Sequence, residues 1–182
     1  MGLGLGVALL AFLAYVSLGL PDGLLGVAWP SMRRDFSLPF DSLGALFVTT
    51  TIGYLLSSFF AGRLTARFRL GVILAASTFF AGAALVGYAV APGWWVVVGV
   101  GIAAGLGGGG IDAALNIYVV ANHGERMMQW LHACYGVGAT VGPVIMTLAV
   151  NSLGNWRWGY AIVGGLQLAL AGVQPAYAGQ PV

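Results

Sequence analysis

The sequence predicts an all-α integral membrane protein: six transmembrane helices arranged as two inverted three-helix repeats. Three observations carry that prediction. Of 182 residues, 59% are hydrophobic and 7% charged, with a mean hydropathy of +0.92. A soluble domain carries about 25% charged residues, so this chain has too little polar surface to cover a globule in water. Six apolar runs are each long enough to cross a bilayer, for which roughly 20 residues suffice. And the first and fourth runs echo one another, GLPDGLLG against GGIDAALN.

The spans are predicted at about residues 3–29, 43–62, 70–91, 94–120, 127–153 and 156–174 of the single domain 1–182. Pro30 to Asp41, Arg63 to Arg69, Pro92 and Gly93, Asn122 to Arg126, and Asn151 to Arg157 mark the breaks. Loops this short impose an up-and-down order. The opening run lacks a basic n-region and stays apolar past any cleavage site, so it reads as a retained first span rather than a signal peptide. All seven cationic residues are arginines in the loops. With the N-terminus inside, Arg63, Arg67, Arg69 and Arg126 face the cytoplasm against Arg33, Arg34 and Arg157 outside, and the positive-inside rule favours that orientation. No basic patch points to nucleic acid, and no cofactor or metal motif is present. The lone Cys134 excludes an internal disulfide.

Span 1 carries Asp22 directly after Pro21. Proline has no amide hydrogen to give the residue four back, so Ser17 is expected to keep a free carbonyl and the helix to bend there. Asp22 is read as a cavity-facing group near that bend, or else as a carboxylate wetted at the interface. In span 2 the hydroxyls Thr49, Thr50, Thr51, Ser57 and Ser58 suit packing and backbone bonding, and Tyr54 is the best candidate for contact with a solute. Span 3 is rich in small residues, has no charge and is expected to be scaffold. In span 4, Gly101, Gly105 and Gly109 form a small-residue stripe that permits close helix contact. The run GLGGGG is not a phosphate loop, because no strand precedes it and no Lys-Ser/Thr follows.

The stretch from Gly105 to Pro143 concentrates the polar chemistry. Asp112 and Asn116 lie one turn apart on one face, as do Gln129 and His132. An ionisable group inside a membrane marks a pathway or relay by default. Because the intervening loop is short, spans 4 and 5 are expected to be antiparallel neighbours, with these four side chains converging between them. His132 could equally be a satisfied packing residue. Cys134 points away from it, which argues against a Cys–His nucleophile. The echo around Asp22 and Asp112 joins helices that cross in opposite directions, the arrangement of inverted repeats in secondary transporters.

Over nearly its whole length the chain resembles the N-terminal half of a major facilitator superfamily transporter. GRLTARFRLG is similar to that superfamily's loop between helices 2 and 3, and GVGATVGP to its glycine-proline packing motif in helix 5. LGLPDGLLGVAWP, GIDAALNIYVV and NHGERMMQWLHACYGVG resemble bacterial sugar-type members, including the fucose–proton symporter group. The resemblance implies half of that fold, in a bacterial inner membrane, performing proton-coupled uptake or exchange of a small polar solute such as a sugar. It implies proton coupling at Asp112 and Asp22, and solute contacts at Asn116 and His132; Gln129 and Tyr54 join these from the residue reading. Gly62, Arg63, Arg67 and Arg69 would form the conformational loop, although Ala66 stands where the family places an aspartate.

Family members have twelve helices around a site between two halves. Six helices hardly enclose such a path, so the expected partners are protons, a small solute, lipid, and either a missing second half or a second copy in a parallel two-fold dimer. A non-transporting fragment or accessory subunit is the alternative. An intramembrane aspartyl protease is remote, since Ile111 replaces the glycine before its aspartate and no Pro-Ala-Leu follows. The chain is read as not an enzyme.

Overall fold

The computed structural model describes residues 5–177. The described chain is six helices: α1 (Leu5–Asp35), α2 (Leu43–Thr65), α3 (Leu70–Val90), α4 (Trp94–Asn122), α5 (Glu125–Leu153) and α6 (Trp156–Tyr177). A single 3-10 turn, Phe40–Ser42, leads into α2. The first two residues of the expected span 1 and the end of the C-terminal tail lie outside the described residues.

Helix ends follow local chemistry. Gly154 takes a left-handed φ of 70° just past Leu153, the conformation that closes a helix most cheaply at glycine. Asn122 folds its side chain back onto the carbonyl of Tyr118 at 2.9 Å, closing the last turn of α4. Glu125 opens α5, where a negative charge complements the N-terminal end of the helix dipole. Pro30 does not end α1, as the sequence reading expected; both Pro21 and Pro30 lie inside a helix that continues to Asp35. A proline removes only one backbone hydrogen bond, and inside a packed bundle neighbouring groups can satisfy the carbonyl it frees.

Five helices, α1 to α5, are long and apolar enough to cross a membrane by length and composition. Helix α6 falls short of that measure because Gln167 and Gln174 interrupt its apolar run. Both glutamines turn inward and are fully buried.

Lateral neighbours are set by glycine. A Cβ on Gly105 would strike the carbonyl of Thr50, and one on Gly53 the carbonyl of Ile102, so α2 and α4 pack backbone to backbone. Gly107 does the same for α4 against Ser77 and Ala81 of α3, and Gly110 lies against the Ser77 side chain. Gly19 and Gly23 of α1 meet Tyr135, Ala139 and Pro143 of α5, and Gly138 and Gly142 return the contact to Val16 and Leu20. Gly82 of α3 lies against Gly164 and Gln167 of α6. Exchanging α1–α3 for α4–α6 turns the α1–α5 seam into the α4–α2 seam and maps the α3–α6 seam onto itself. This is the inverted repeat, built from close glycine contacts rather than from sequence neighbours.

The buried apolar side chains form two clusters. One gathers Leu24, Trp29, Met32, Trp94, Trp156 and Tyr160; the other gathers Tyr15, Leu70, Leu74, Ile111, Leu115 and Leu131. In α1 the changeover falls between Tyr15 and Leu20, the segment holding Ser17 and Gly19. The first cluster is closed by Arg157, whose Nη1 donates to the carbonyls of Ala89 and Ala91 at 2.8 and 2.9 Å while its guanidinium lies 4.7 Å from the Trp156 ring. Trp156 in turn donates to Asp35 at 2.6 Å.

Candidate functional site

Asp112 is the most heavily bonded carboxylate in the described structure. Its Oδ1 accepts from the Tyr15 phenol and from Asn116 Nδ2, each at 2.9 Å, and its Oδ2 accepts from the Tyr54 phenol at 2.5 Å. The three donors come from three helices. Asn116 reaches it because i and i+4 share a helix face. Tyr54 reaches it because Gly105 and Gly109 bring α2 to within backbone distance. Tyr15 reaches it from α1, 97 residues away in sequence. A half-buried carboxylate is expensive without partners. These partners are all neutral, so they hold the charge without cancelling it.

Asp22 is exposed and has one partner, the phenol of Tyr135 in α5. The two carboxylates are therefore related by the inverted repeat. Asp22 of α1 takes Tyr135 of α5 as Asp112 of α4 takes Tyr54 of α2. Even the supporting glycines correspond: Gly19 presses on the Tyr135 backbone and Gly109 on the Tyr54 backbone, each three residues before its aspartate. Neither aspartate is hydrogen-bonded to the other; each is held by phenols.

The expected convergence of Asp112, Asn116, Gln129 and His132 between neighbouring α4 and α5 is corrected by the packing. Helix α4 seats its glycine faces on α2 and α3, and α5 seats its own on α1, so α4 and α5 scarcely touch despite their short loop. His132 is exposed and meets the group only indirectly, edge-on to Tyr15 at 5.9 Å between ring centroids. Gln129 is exposed and one turn closer to the loop, without a hydrogen bond to the Asp112 group. Asn116 and Tyr54 do reach Asp112.

Tyr15 and Tyr135 were missed in the sequence. Tyr135 lies three residues past His132 on the same helix face, and Tyr15 seven before Asp22, so their spacing carried a signal. Four other hydroxyls of α2, those of Thr49, Thr50, Ser57 and Thr65, donate to carbonyls of their own helix. Gly62 and Arg63, expected in the loop, fall in the last turn of α2, and Arg67 and Arg69 in the connection to α3; all four are exposed, with the Arg63 guanidinium 5.8 Å from the Phe60 ring.

Asp22, Tyr54, Gln129 and His132 are all exposed, on helices whose outward faces are apolar, with Phe47, Leu55 and Phe59 on α2 and Trp130, Val141 and Leu148 on α5. A family model described as Major Facilitator Superfamily matches residues 7–177. No curated protein gives a match.

Proposed function

Because the chain belongs to the Major Facilitator Superfamily, a family of membrane transporters, we propose that it serves proton-coupled uptake or exchange of a small polar solute such as a sugar. The observation that supports this reading is Asp112: a carboxylate inside an apolar helix, held by three neutral donors and, among the described residues, by no cation. A group placed so can take up a proton without breaking an ion pair. Protonated, it offers an O–H to a solute hydroxyl; on losing the proton it recovers Tyr54 and Tyr15 as donors, and the solute contact weakens. Asp22, with its single phenol partner, is the second proton-exchanging group.

Asn116, Gln129, His132 and Tyr54 supply neutral hydrogen bonds to the solute. Gly62, Arg63, Arg67 and Arg69 act as the conformational loop at the cytoplasmic end, with the N-terminus inside and the chain in a bacterial inner membrane. The phenol-held aspartates favour a carrier over an aspartyl protease, whose two acids share one water.

The exposed polar groups need a cover to become a closed path. A second six-helix unit, either a second copy or another half, fits that need, since halves of this superfamily are related by an axis along the membrane normal. The second reading, an accessory membrane subunit, rests on the same open face.

The test is pH-driven uptake into vesicles with Asp112→Asn. Asparagine keeps the shape and one acceptor but cannot take a proton, so coupled uptake should fall at least tenfold. Undiminished coupled uptake would remove Asp112 from the mechanism. Absence of uptake by the unsubstituted chain, both alone and with a co-expressed second bundle, would favour the accessory reading.

A further inference from the structure

Pro21 leaves the carbonyl of Ser17 without a partner inside α1. The partner comes from the far end of the chain. Gln167 of α6, 1% exposed, donates its Nε2 to Ser17 O at 2.6 Å. Its Oε1 is buried with no hydrogen-bond partner among the described residues, so the Ser17 bond is the one that orients the amide. A glutamine interrupts the apolar run of α6, and this contact is what it does there.

The bond has a particular address. Tyr15, two residues before Ser17, grips Asp112 of α4. Asp22, directly after Pro21, is gripped by Tyr135 of α5. One helix therefore touches both carboxylate pairs, with the weakened turn between them. A change in the geometry of that turn would move Asp22 relative to Asp112. Gly19 and Gly23, in and just past that turn, lie against the α5 backbone, which leaves α6 as the element that completes the turn's hydrogen bonding.

We propose that Gln167 is a positioning residue: it supplies the missing hydrogen bond of α1, holds that turn, and so sets where Asp22 stands relative to Asp112. Its consequence for transport rests on the carrier reading above; the hydrogen bond itself does not. The titratable groups around the turn are Asp22 and Tyr15 of α1, Tyr54 of α2, Asp112 of α4, and His132 and Tyr135 of α5. Tyr88 of α3 is in the other cluster, against Tyr160. Gln167 does not titrate, so any change it causes in a pH profile passes through one of these groups.

Two variants test this. Gln167→Leu removes the donor at similar volume. Pro21→Ala/Gln167→Leu returns an intrahelical donor to Ser17 O but leaves the turn without its tie to α6. The readouts are amide hydrogen exchange over residues 17–23 and the pH profile of carbodiimide labelling at Asp22, both by mass spectrometry in lipid nanodiscs. Gln167→Leu should exchange at least tenfold faster in that segment and move the labelling midpoint of Asp22 by half a pH unit or more. The double variant should regain protection while Asp22 labelling stays altered, and it serves alone if the single variant does not fold. Unchanged exchange in Gln167→Leu, or wild-type Asp22 labelling in both variants, overturns the proposal. Neither readout requires transport, so a failure of uptake in the unsubstituted chain would strike the carrier reading and leave this one standing.

Discussion

The phenol of Tyr54 donates to Asp112 Oδ2 at 2.5 Å across the seam between α2 and α4. Tyr135 repeats that bond to Asp22 across the seam between α5 and α1. A phenol is apolar along its ring and polar at its tip, so it lies along a glycine-lined seam and still presents a donor at its end. Both seams use this property. The difference lies in how fully each acid is held: Asp112 has two further donors, and Asp22 stands exposed with one.

Removing the phenols should therefore have graded effects. A hydrogen bond to a charged group contributes about 1.5–3 kcal/mol. Tyr15 is 1% exposed and Tyr54 38%, so water can replace only the second. Tyr15→Phe should destabilise the bundle by about 2 kcal/mol, and Tyr54→Phe by less than about 1 kcal/mol, in reversible unfolding in mixed micelles. Equal losses would contradict the burial order.

The glycine seams make a second, contrasting prediction. A Cβ on Gly105 meets backbone atoms of Thr50 and Tyr54, whereas nothing lies within 4 Å of one on Gly26. Gly105→Ala should cost about 1–3 kcal/mol, the usual scale of overpacking. Gly26→Ala should be neutral or stabilise by up to about 1 kcal/mol, through helix propensity. Thermal unfolding of the two variants side by side checks this, and a stable Gly105→Ala bundle would show that α2 and α4 are not in backbone contact.

Arg157 ties α6 to the end of α3 through Ala89 and Ala91 and lies over Trp156. Arg157→Leu should lose about 2–3 kcal/mol, since two buried carbonyls then lack a donor. Arg157→Lys should recover only part of that, because an ammonium cannot present the planar fork. Melting temperatures in one detergent decide it; full rescue by lysine would leave only the charge as the useful feature.

If a second copy covers the exposed polar face, the protein mass in detergent should be about twice the 18.7 kDa of one chain. Light scattering coupled to size exclusion, with the detergent contribution subtracted, measures it directly. A mass of one chain at every concentration tested would leave the homodimer without support.

Much of the fold was legible because lipid imposes simple demands. Apolar runs of sufficient length, broken by Pro, Gly and Arg, placed all six helices, and the glycines around Asp22 and Asp112 exposed the repeat. What stayed hidden was adjacency. The short loop from Asn122 to Arg126 suggested that α4 and α5 pack together, yet loop length sets only the order and direction of helices. Loop length therefore puts Gln129 beside Asp112, where the packing does not, and gives no sign of Tyr15 or Tyr135.

From its residues alone, this chain determines its solvent, its helix count and the few polar groups it carries into the bilayer, because burying charge and backbone in hydrocarbon leaves little freedom. Only the tertiary structure decides which of those groups meet. A helix that is apolar all round has no wet face to mark its outward side, so its neighbours are chosen by glycine-to-backbone fit. That is why Tyr15 meets Asp112, and Gln167 meets Ser17, across 97 and 150 residues.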